Sequence, residues 1–227
     1  MSEGRLKPPL CGVLLDVDGT LIDSNDAHAH AWHDVLREFG YDLDYAQVRR
    51  LIGMGGDNLL PAAVGEKEDS ELGQRIGKRR SEIFEQHYLP TIKAFPKTPE
   101  LLARLDACGY KLAVATSSGK KQLGALLRIA QAEPYLDAKT SADDAEHSKP
   151  DPDIIAAALA KTGCAPEAVL MLGDTPYDIE AAAKAGIASV ALRSGGWNDS
   201  ELAGAIAIYA NPADLLANFD ESPFAPR

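Results

Sequence analysis

Asp16-Val17-Asp18-Gly19-Thr20 stands directly behind an apolar run, Val13-Leu14-Leu15. This junction constrains the fold more than any other feature of the chain. The apolar run reads as a short buried strand, and Gly19 breaks it into a turn. Two carboxylates two residues apart therefore leave the carboxyl end of a strand. In an open α/β sheet that edge is where ligands bind. Acids placed there can do nucleophilic and acid–base work when their environments separate their roles.

The same pattern recurs along the chain. Apolar β-like segments fall at 11–16, 111–116, 136–141, 168–174, 187–192 and 205–209. Helical periodicity lies between them at 98–107, 120–129, 153–161 and 177–185. Strand alternating with helix predicts a parallel sheet covered on both faces, a Rossmann-like α/β core. The stretch 21–94 breaks this rhythm. It holds no convincing strand and reads as four or five helices, including 25–39 and a long one near 70–87. Ala31, Val35 and Phe39 fall on one face of the first. The expected organisation is a catalytic core of 1–21 and 95–227 with a small all-helical cap, 22–94, inserted after the first strand. The tail, 221–227, is expected to be frayed or lightly docked.

Composition limits the partners. The 227 residues carry a formal net charge of −11, with basic and acidic residues spread along the chain. No basic stripe offers a nucleic-acid surface, and the acidic balance works against anionic membranes. Residues 1–7 hold no apolar signal-peptide core, and no apolar run approaches the ~18 residues of a membrane span. Cys11, Cys108 and Cys164 are far apart and odd in number. The expectation is three reduced, mostly buried thiols in a cytoplasmic protein.

Four segments carry chemistry, each after a strand or at a helix start. The first is the Asp16/Asp18 pair. A calcium-binding EF-hand loop beginning at Asp16 would need glycine at 21 and glutamate at 27, where the chain has Leu21 and Ala27. The second is Thr116-Ser117-Ser118-Gly119-Lys120, where a hydroxyl and backbone N–H groups at a helix start make an anion site. The third is Ser148-Lys149-Pro150-Asp151-Pro152, whose prolines stiffen the loop around Lys149. The fourth is Gly173-Asp174-Thr175-Pro176-Tyr177-Asp178. There Thr175 can cap a helix with Pro176 at its first position, and Asp178 lies about one turn beyond Asp174.

Taken together, in this order, the four segments resemble the motifs of the haloacid dehalogenase-like hydrolase superfamily: Asp-x-Asp, Thr/Ser, Lys, and Gly-Asp-x-x-x-Asp. The resemblance covers nearly the whole chain, including the helical cap. It implies that Asp16 is the nucleophile of phosphoryl transfer and that Asp18 is the general acid–base. Thr116 and the Ser117 N–H would hold phosphate oxygens, and Lys149 would orient the nucleophile and offset charge. Asp174 would bind Mg²⁺ with Asp16 and the Asp18 carbonyl oxygen, supported by Asp178. Mg²⁺ suits such a set because it prefers hard oxygen ligands.

Within the superfamily, Asp18 argues against the dehalogenase branch, which has no acid at that position. The loop Gly53-Met54-Gly55-Gly56-Asp57 lacks the lysine of the phosphonate-cleaving branch. The segment from Asp23 to Trp32 resembles the cap helix of phosphoglycolate phosphatases and of β-phosphoglucomutase-like enzymes, with His28 at the position of a mutase histidine. The mutase arginine that follows the loop glycine is absent. The leading expectation is a Mg²⁺-dependent phosphatase acting on a small phosphorylated metabolite, and the alternative is a sugar-phosphate mutase. A phosphate-binding protein without catalysis is the third reading. His28, Met54, Asp57 and Asn58 are the candidate substrate contacts of the cap. His28, His30 and His33 do not complete a tetrahedral zinc set, and Trp32 is read as core. A monomer is expected, because the cap must swing to admit substrate.

Overall fold

The computed structural model describes residues 9–226; the segment 1–7, read above for a targeting signal, lies outside them. The chain begins with β1 (Gly12–Leu15), whose four residues are all buried. A two-residue strand, β2 (Ile22–Asp23), then leads into α1 (Asn25–Glu38), α2 (Tyr45–Arg50), α3 (Gly56–Val64) and α4 (Glu71–Ile83). A π-helical turn over Phe84–Tyr88 and a 3₁₀ turn over Leu89–Thr91 close the helical insertion. The chain returns through β3 (Lys93–Ala94) and then alternates: α5 (Thr98–Ala107), β4 (Lys111–Ala115), α6 (Lys120–Ile129), β5 (Ala138–Thr140), α7 (Asp153–Thr162), β6 (Val169–Gly173), α8 (Pro176–Lys184), β7 (Ala188–Leu192), β8 (Ala207–Tyr209) and α9 (Pro212–Ala217). No helix among the described residues is long and apolar enough to cross a membrane.

Six strands form one parallel sheet in the order β5-β4-β1-β6-β7-β8. Side chains alternate across it with the period of two that a strand imposes. Val13, Leu15, Leu112, Val114, Leu170 and Leu172 face one way and pack with Leu101, Leu102, Leu105 and Leu126 of α5 and α6. Leu14, Ala113, Ala115 and Met171 face the other way and pack on Ile154, Ile155 and Ala158 of α7 and Ala181 and Ala182 of α8. Burying one such leucine contributes about 1.5–3 kcal/mol, so a register slip that reversed these faces would be heavily disfavoured. Register also places the chemistry. Leu15 pairs with Val114 on one side and Leu172 on the other. The residues just beyond, Asp16, Thr116 and Asp174, therefore emerge at one edge.

Three expectations need correction, and a fourth, the long helix near 70–87, holds with a change of helix type. The stretch 21–94 does contain strands: β2 and β3 pair antiparallel, Ile22 with Ala94 and Asp23 with Lys93, and form a two-stranded ribbon at the base of the insertion. Two-residue strands are too short to show a period-two pattern. The long helix near 70–87 is regular only as far as Ile83, with Pro90 in the 3₁₀ turn beyond it. Cys11 and Cys164 are joined in a disulfide, leaving Cys108 free. Their separation of 153 residues hid a proximity that the β1–β6 pairing creates. The tail, of which Arg227 lies outside the described residues, is anchored at Phe224, which is fully buried and whose carbonyl accepts a hydrogen bond from the Tyr110 hydroxyl at 2.9 Å.

Candidate active site

The turn after β1 brings the first two acids into place. The Gly19 N–H donates to the Ile22 carbonyl at 2.8 Å, and its φ of +79° suits glycine. A Cβ on Gly19 would also lie 2.2 Å from both Asp174 Oδ2 and Asn25 Nδ2. The turn therefore passes directly over the acid that ends β6. Asp174 is wholly buried. Thr20 Oγ1 donates to its Oδ1 at 2.9 Å and Asn25 Nδ2 to its Oδ2 at 2.8 Å. Thr20 and Asn25 escaped the sequence reading, although Thr20 directly follows the Asp-x-Asp-Gly turn. Burial and the neighbouring Asp16 and Asp178 carboxylates push Asp174 well above the usual carboxylate range, against the two donors.

Asp178 is fixed by the start of α8. Its Oδ2 accepts from the Thr175 hydroxyl at 2.7 Å and from the Thr175 and Asp174 N–H groups at 3.0 and 3.2 Å. This reciprocal cap satisfies donors that a helix start leaves open. Its other oxygen, Oδ1, accepts from Lys149 Nζ at 2.6 Å. The same ammonium donates to Asp16 Oδ1, also at 2.6 Å. Lys149 is only 1 % exposed. Burial would lower it, but the two carboxylates outweigh burial and hold it above the ordinary lysine range. Burial pushes Asp16 up to about 7, with Asp178 and Asp18 adding to the effect and Lys149 opposing it.

Asp18 has the opposite environment. It accepts from Ser24 Oγ at 2.6 Å, from Ser118 Oγ at 2.8 Å and from His28 Nε2 at 2.8 Å. Burial alone would raise it, yet His28 and these donors hold it well below the usual carboxylate range. On α4, Arg80 reaches His28 Nδ1. A guanidinium can only donate, so Nδ1 is the acceptor and the proton of a neutral His28 sits on Nε2, facing Asp18. Burial lowers His28, with Arg80 adding to it and Asp18 opposing it, which agrees with a neutral ring. The ring stacks on Phe84 with centroids 4.3 Å apart. Ser24, Ser118 and Arg80 were not singled out from sequence. One arginine among the three of α4 gives no signal of its own.

The phosphate-site candidates lie across the gap. Thr116 is buried at the end of β4, and its Oγ1 accepts from the Ser118 N–H at 3.1 Å. Ser117 Oγ is buried and has no hydrogen-bond partner among the described residues. A buried hydroxyl left unpaired is costly, and an anion oxygen would satisfy it. Above these groups a cavity of about 670 Å³ separates the sheet edge from the insertion, lined by Asp16, Asp18, Ser117, Met54, Trp32 and Arg80 among others. That volume is within the usual range for small-molecule sites. His28, Met54 and Asp57 line it, Asp57 also bonding the backbone of loop 145–152, and the Asn58 side chain is directed to that backbone. Trp32 is 6 % exposed, its ring covered by the Arg80 guanidinium at 5.4 Å. His30 instead stacks on Tyr45, and His33 meets the same ring edge-on.

Oxygens of Asp16, Asp174 and Asp178 lie within 4.8 Å of one another and could hold a metal ion. Three buried carboxylates face one buried ammonium, which leaves an excess of negative charge that a divalent cation would balance. The donors are all hard oxygens, as a magnesium-type ion requires.

The comparisons agree with this geometry. A family model described as haloacid dehalogenase-like hydrolase matches residues 13–192. The chain is 34 % identical over 179 residues to a phosphoglycolate phosphatase of Aquifex aeolicus, covering 77 % of this chain and 80 % of the relative. Among solved structures, a hydrolase from Pseudomonas syringae superposes with a TM-score of 0.86 at 32 % identity, over 93 % of this chain and 98 % of that one. A protein from Bacteroides vulgatus, provisionally named a β-phosphoglucomutase, gives 0.82 at 26 % identity, over 93 % and 88 %. With its four motifs converging on one sheet edge and the match spanning most of its length, the chain belongs to the haloacid dehalogenase-like hydrolases.

Proposed function

We propose that this protein is a Mg²⁺-dependent phosphatase that hydrolyses small phosphate monoesters through an aspartyl phosphate on Asp16. The observation that carries this reading is the pair of opposed carboxylates under one cavity. Asp16 Oδ1 is held by Lys149, while Asp18 sits among three donors that keep it ionised. One acid rests on a buried ammonium and the other among neutral donors, and such different surroundings are what separate nucleophile and acid–base roles require.

Asp16, Asp174 and the Asp18 carbonyl oxygen would hold Mg²⁺, with Asp178 in support. Bound there, the ion would supply charge neutralisation for an anionic carboxylate meeting an anionic phosphate. Lys149 keeps Asp16 aimed and reduces the same repulsion. Asp16 Oδ2, which carries none of the Lys149 contact, attacks phosphorus; the ester P–O bond breaks, and the alcohol leaves with a proton from Asp18. A phosphate dianion beside Asp18 raises its carboxyl, so substrate binding itself favours the protonated form. In the second half, Asp18 takes a proton from water, the hydroxide oxygen bonds to phosphorus, and Asp16 departs as carboxylate with inorganic phosphate released. Thr116 and Ser117 hold the phosphate oxygens throughout. Relatives named phosphoglycolate phosphatase support a small anionic ester as substrate. The same reading has the protein acting as a monomer in the cytoplasm, without nucleic acid or membrane.

One observation favours a second reading, a phosphomutase. His28 of the insertion bonds directly to Asp18, which ties the acid–base to closure of the insertion, and a solved neighbour carries a mutase name. The test is phosphate release from phosphoglycolate and hexose phosphates, with Mg²⁺, with chelator, and with Asp16→Asn. Release that requires both Mg²⁺ and Asp16 supports the phosphatase. No net release, with isomerisation of a sugar phosphate primed by its bisphosphate, establishes the mutase instead. Full activity of Asp16→Asn defeats both.

A further inference from the structure

Asp57 and Asn58 occupy the first turn of α3, yet their side chains serve a different part of the chain. Asp57 Oδ2 accepts from the Ser148 N–H at 2.8 Å. Asn58 Nδ2 donates to the Ser148 carbonyl at 2.9 Å and to the Lys149 carbonyl at 3.2 Å. Two consecutive residues of the insertion thus hold three successive peptide groups of the core, and Lys149 lies among those three. The approach is close. A Cβ on Gly55 would lie 2.1 Å from Ser148 Oγ and 2.3 Å from Ser148 Cβ, so any side chain at position 55 would push the insertion off this loop. From the clamped backbone the Lys149 side chain runs inward, and its ammonium bridges Asp16 and Asp178 at 2.6 Å each.

We propose that Asp57 and Asn58 are positioning residues that make the seating of Lys149 on Asp16 depend on docking of the helical insertion. The proposal rests on the phosphatase reading, since Lys149 otherwise has no reaction to serve. When the insertion lifts, loop 145–152 loses all three bonds together, and the ammonium loses the support of its own backbone. Asp16 is then aimed fully only when the cavity is covered and bulk water excluded. The bonds go to main chain, so their effect is independent of the alcohol that the phosphate carries.

Steady-state kinetics with p-nitrophenyl phosphate, phosphoglycolate and a hexose phosphate test this on the full chain, with circular dichroism confirming that each variant is folded. Asn58→Ala is expected to lower kcat about five- to tenfold, the equivalent of roughly one net hydrogen bond. The factor should be the same for all three esters, with KM moving less than about threefold. Asn58→Asp, equal in size but turning a carboxylate toward two carbonyl oxygens, should lower kcat further. Asp57→Asn keeps an acceptor for the Ser148 N–H and should retain the kcat that Asp57→Ala loses. A loss that varies with the ester, or that appears in KM, would make these residues substrate contacts and overturn the proposal; unchanged kcat in all four variants overturns it as well. If the wild-type protein releases phosphate from none of the esters, the phosphatase reading falls and takes this proposal with it. An active wild type with unaffected variants removes the proposal alone.

Discussion

Replacing Lys149 by methionine keeps the length of the stem and removes one charge from the centre of the site. Its ammonium is 1 % exposed and makes two bonds of 2.6 Å, to Asp16 Oδ1 and Asp178 Oδ1. Hydrogen bonds to charged groups contribute about 1.5–3 kcal/mol each. Removing one partner of a buried ion pair costs about 3–5 kcal/mol, because the remaining charge is left uncompensated. The two estimates overlap, so Lys149→Met should lose about 3–5 kcal/mol of unfolding free energy in urea at neutral pH without added metal. Catalysis should suffer independently. Losing one preorganised donor at a centre of developing charge costs on the order of 10²–10³ in kcat, and here the nucleophile also loses its orientation. Lys149→Arg should not rescue it, because a planar fork cannot occupy a fully buried slot shaped for a point charge on a flexible stem. The assays are urea unfolding followed by circular dichroism, and phosphate release at saturating Mg²⁺. A variant within about 1 kcal/mol of wild type that keeps kcat within threefold would refute the reasoning, since neither charge balance nor aiming of Asp16 could then depend on Lys149.

Three further outcomes follow from other parts of the molecule. Gly19→Ala sets a Cβ 2.2 Å from Asp174 Oδ2 at a φ of +79°; phosphate release should be abolished and Mg²⁺-induced thermal stabilisation lost, both read on one preparation. Cys11→Ser opens a disulfide that spans 153 residues at the amino end of β1, away from the acids at its carboxyl end. Chain entropy sets an upper bound of about 5 kcal/mol on the stability lost, while kcat should stay within about twofold. His147 is raised above 6.5 by its bond to Asp153, with burial opposing and that carboxylate's charge adding to the rise. A histidine raised in the folded state stabilises it fully below 6.5, and this contribution disappears as pH rises through the folded value. Asp153→Asn should therefore bring the His147 titration, followed by proton NMR, back toward 6.5 and flatten stability across that window.

The parts of this protein legible in its sequence are those that one segment can specify alone. Val13-Leu14-Leu15 declares a buried strand whatever surrounds it, and Thr175-Pro176 with Asp178 declares a helix start. The six strands of the sheet could be read for that reason, whereas Thr116 and Lys149 stood out only through the order in which four segments occur. What could not be read is pairwise. Nothing in Thr20 or Asn25 announces Asp174, 154 and 149 residues away. Arg80 shows no sign of the His28 ring it meets from another helix. The disulfide obeys the same rule: Cys11 and Cys164 are ordinary thiols until parallel pairing brings β1 beside β6. Asp57 and Asn58 make the distinction sharpest. The sequence puts Asp57 on a loop of the insertion, whereas both residues lie in the first turn of α3, and polar residues there suggest contact with a ligand. The structure instead gives them the backbone around Lys149. A polar side chain free to meet a ligand and one already bonded to the core backbone look the same in sequence. The difference is set by how closely the insertion seats, and that closeness depends on Gly55 having no side chain against Ser148. Specificity in this family of sites therefore cannot be assigned from the polarity of insertion residues alone; each must first be tested for a partner in the core.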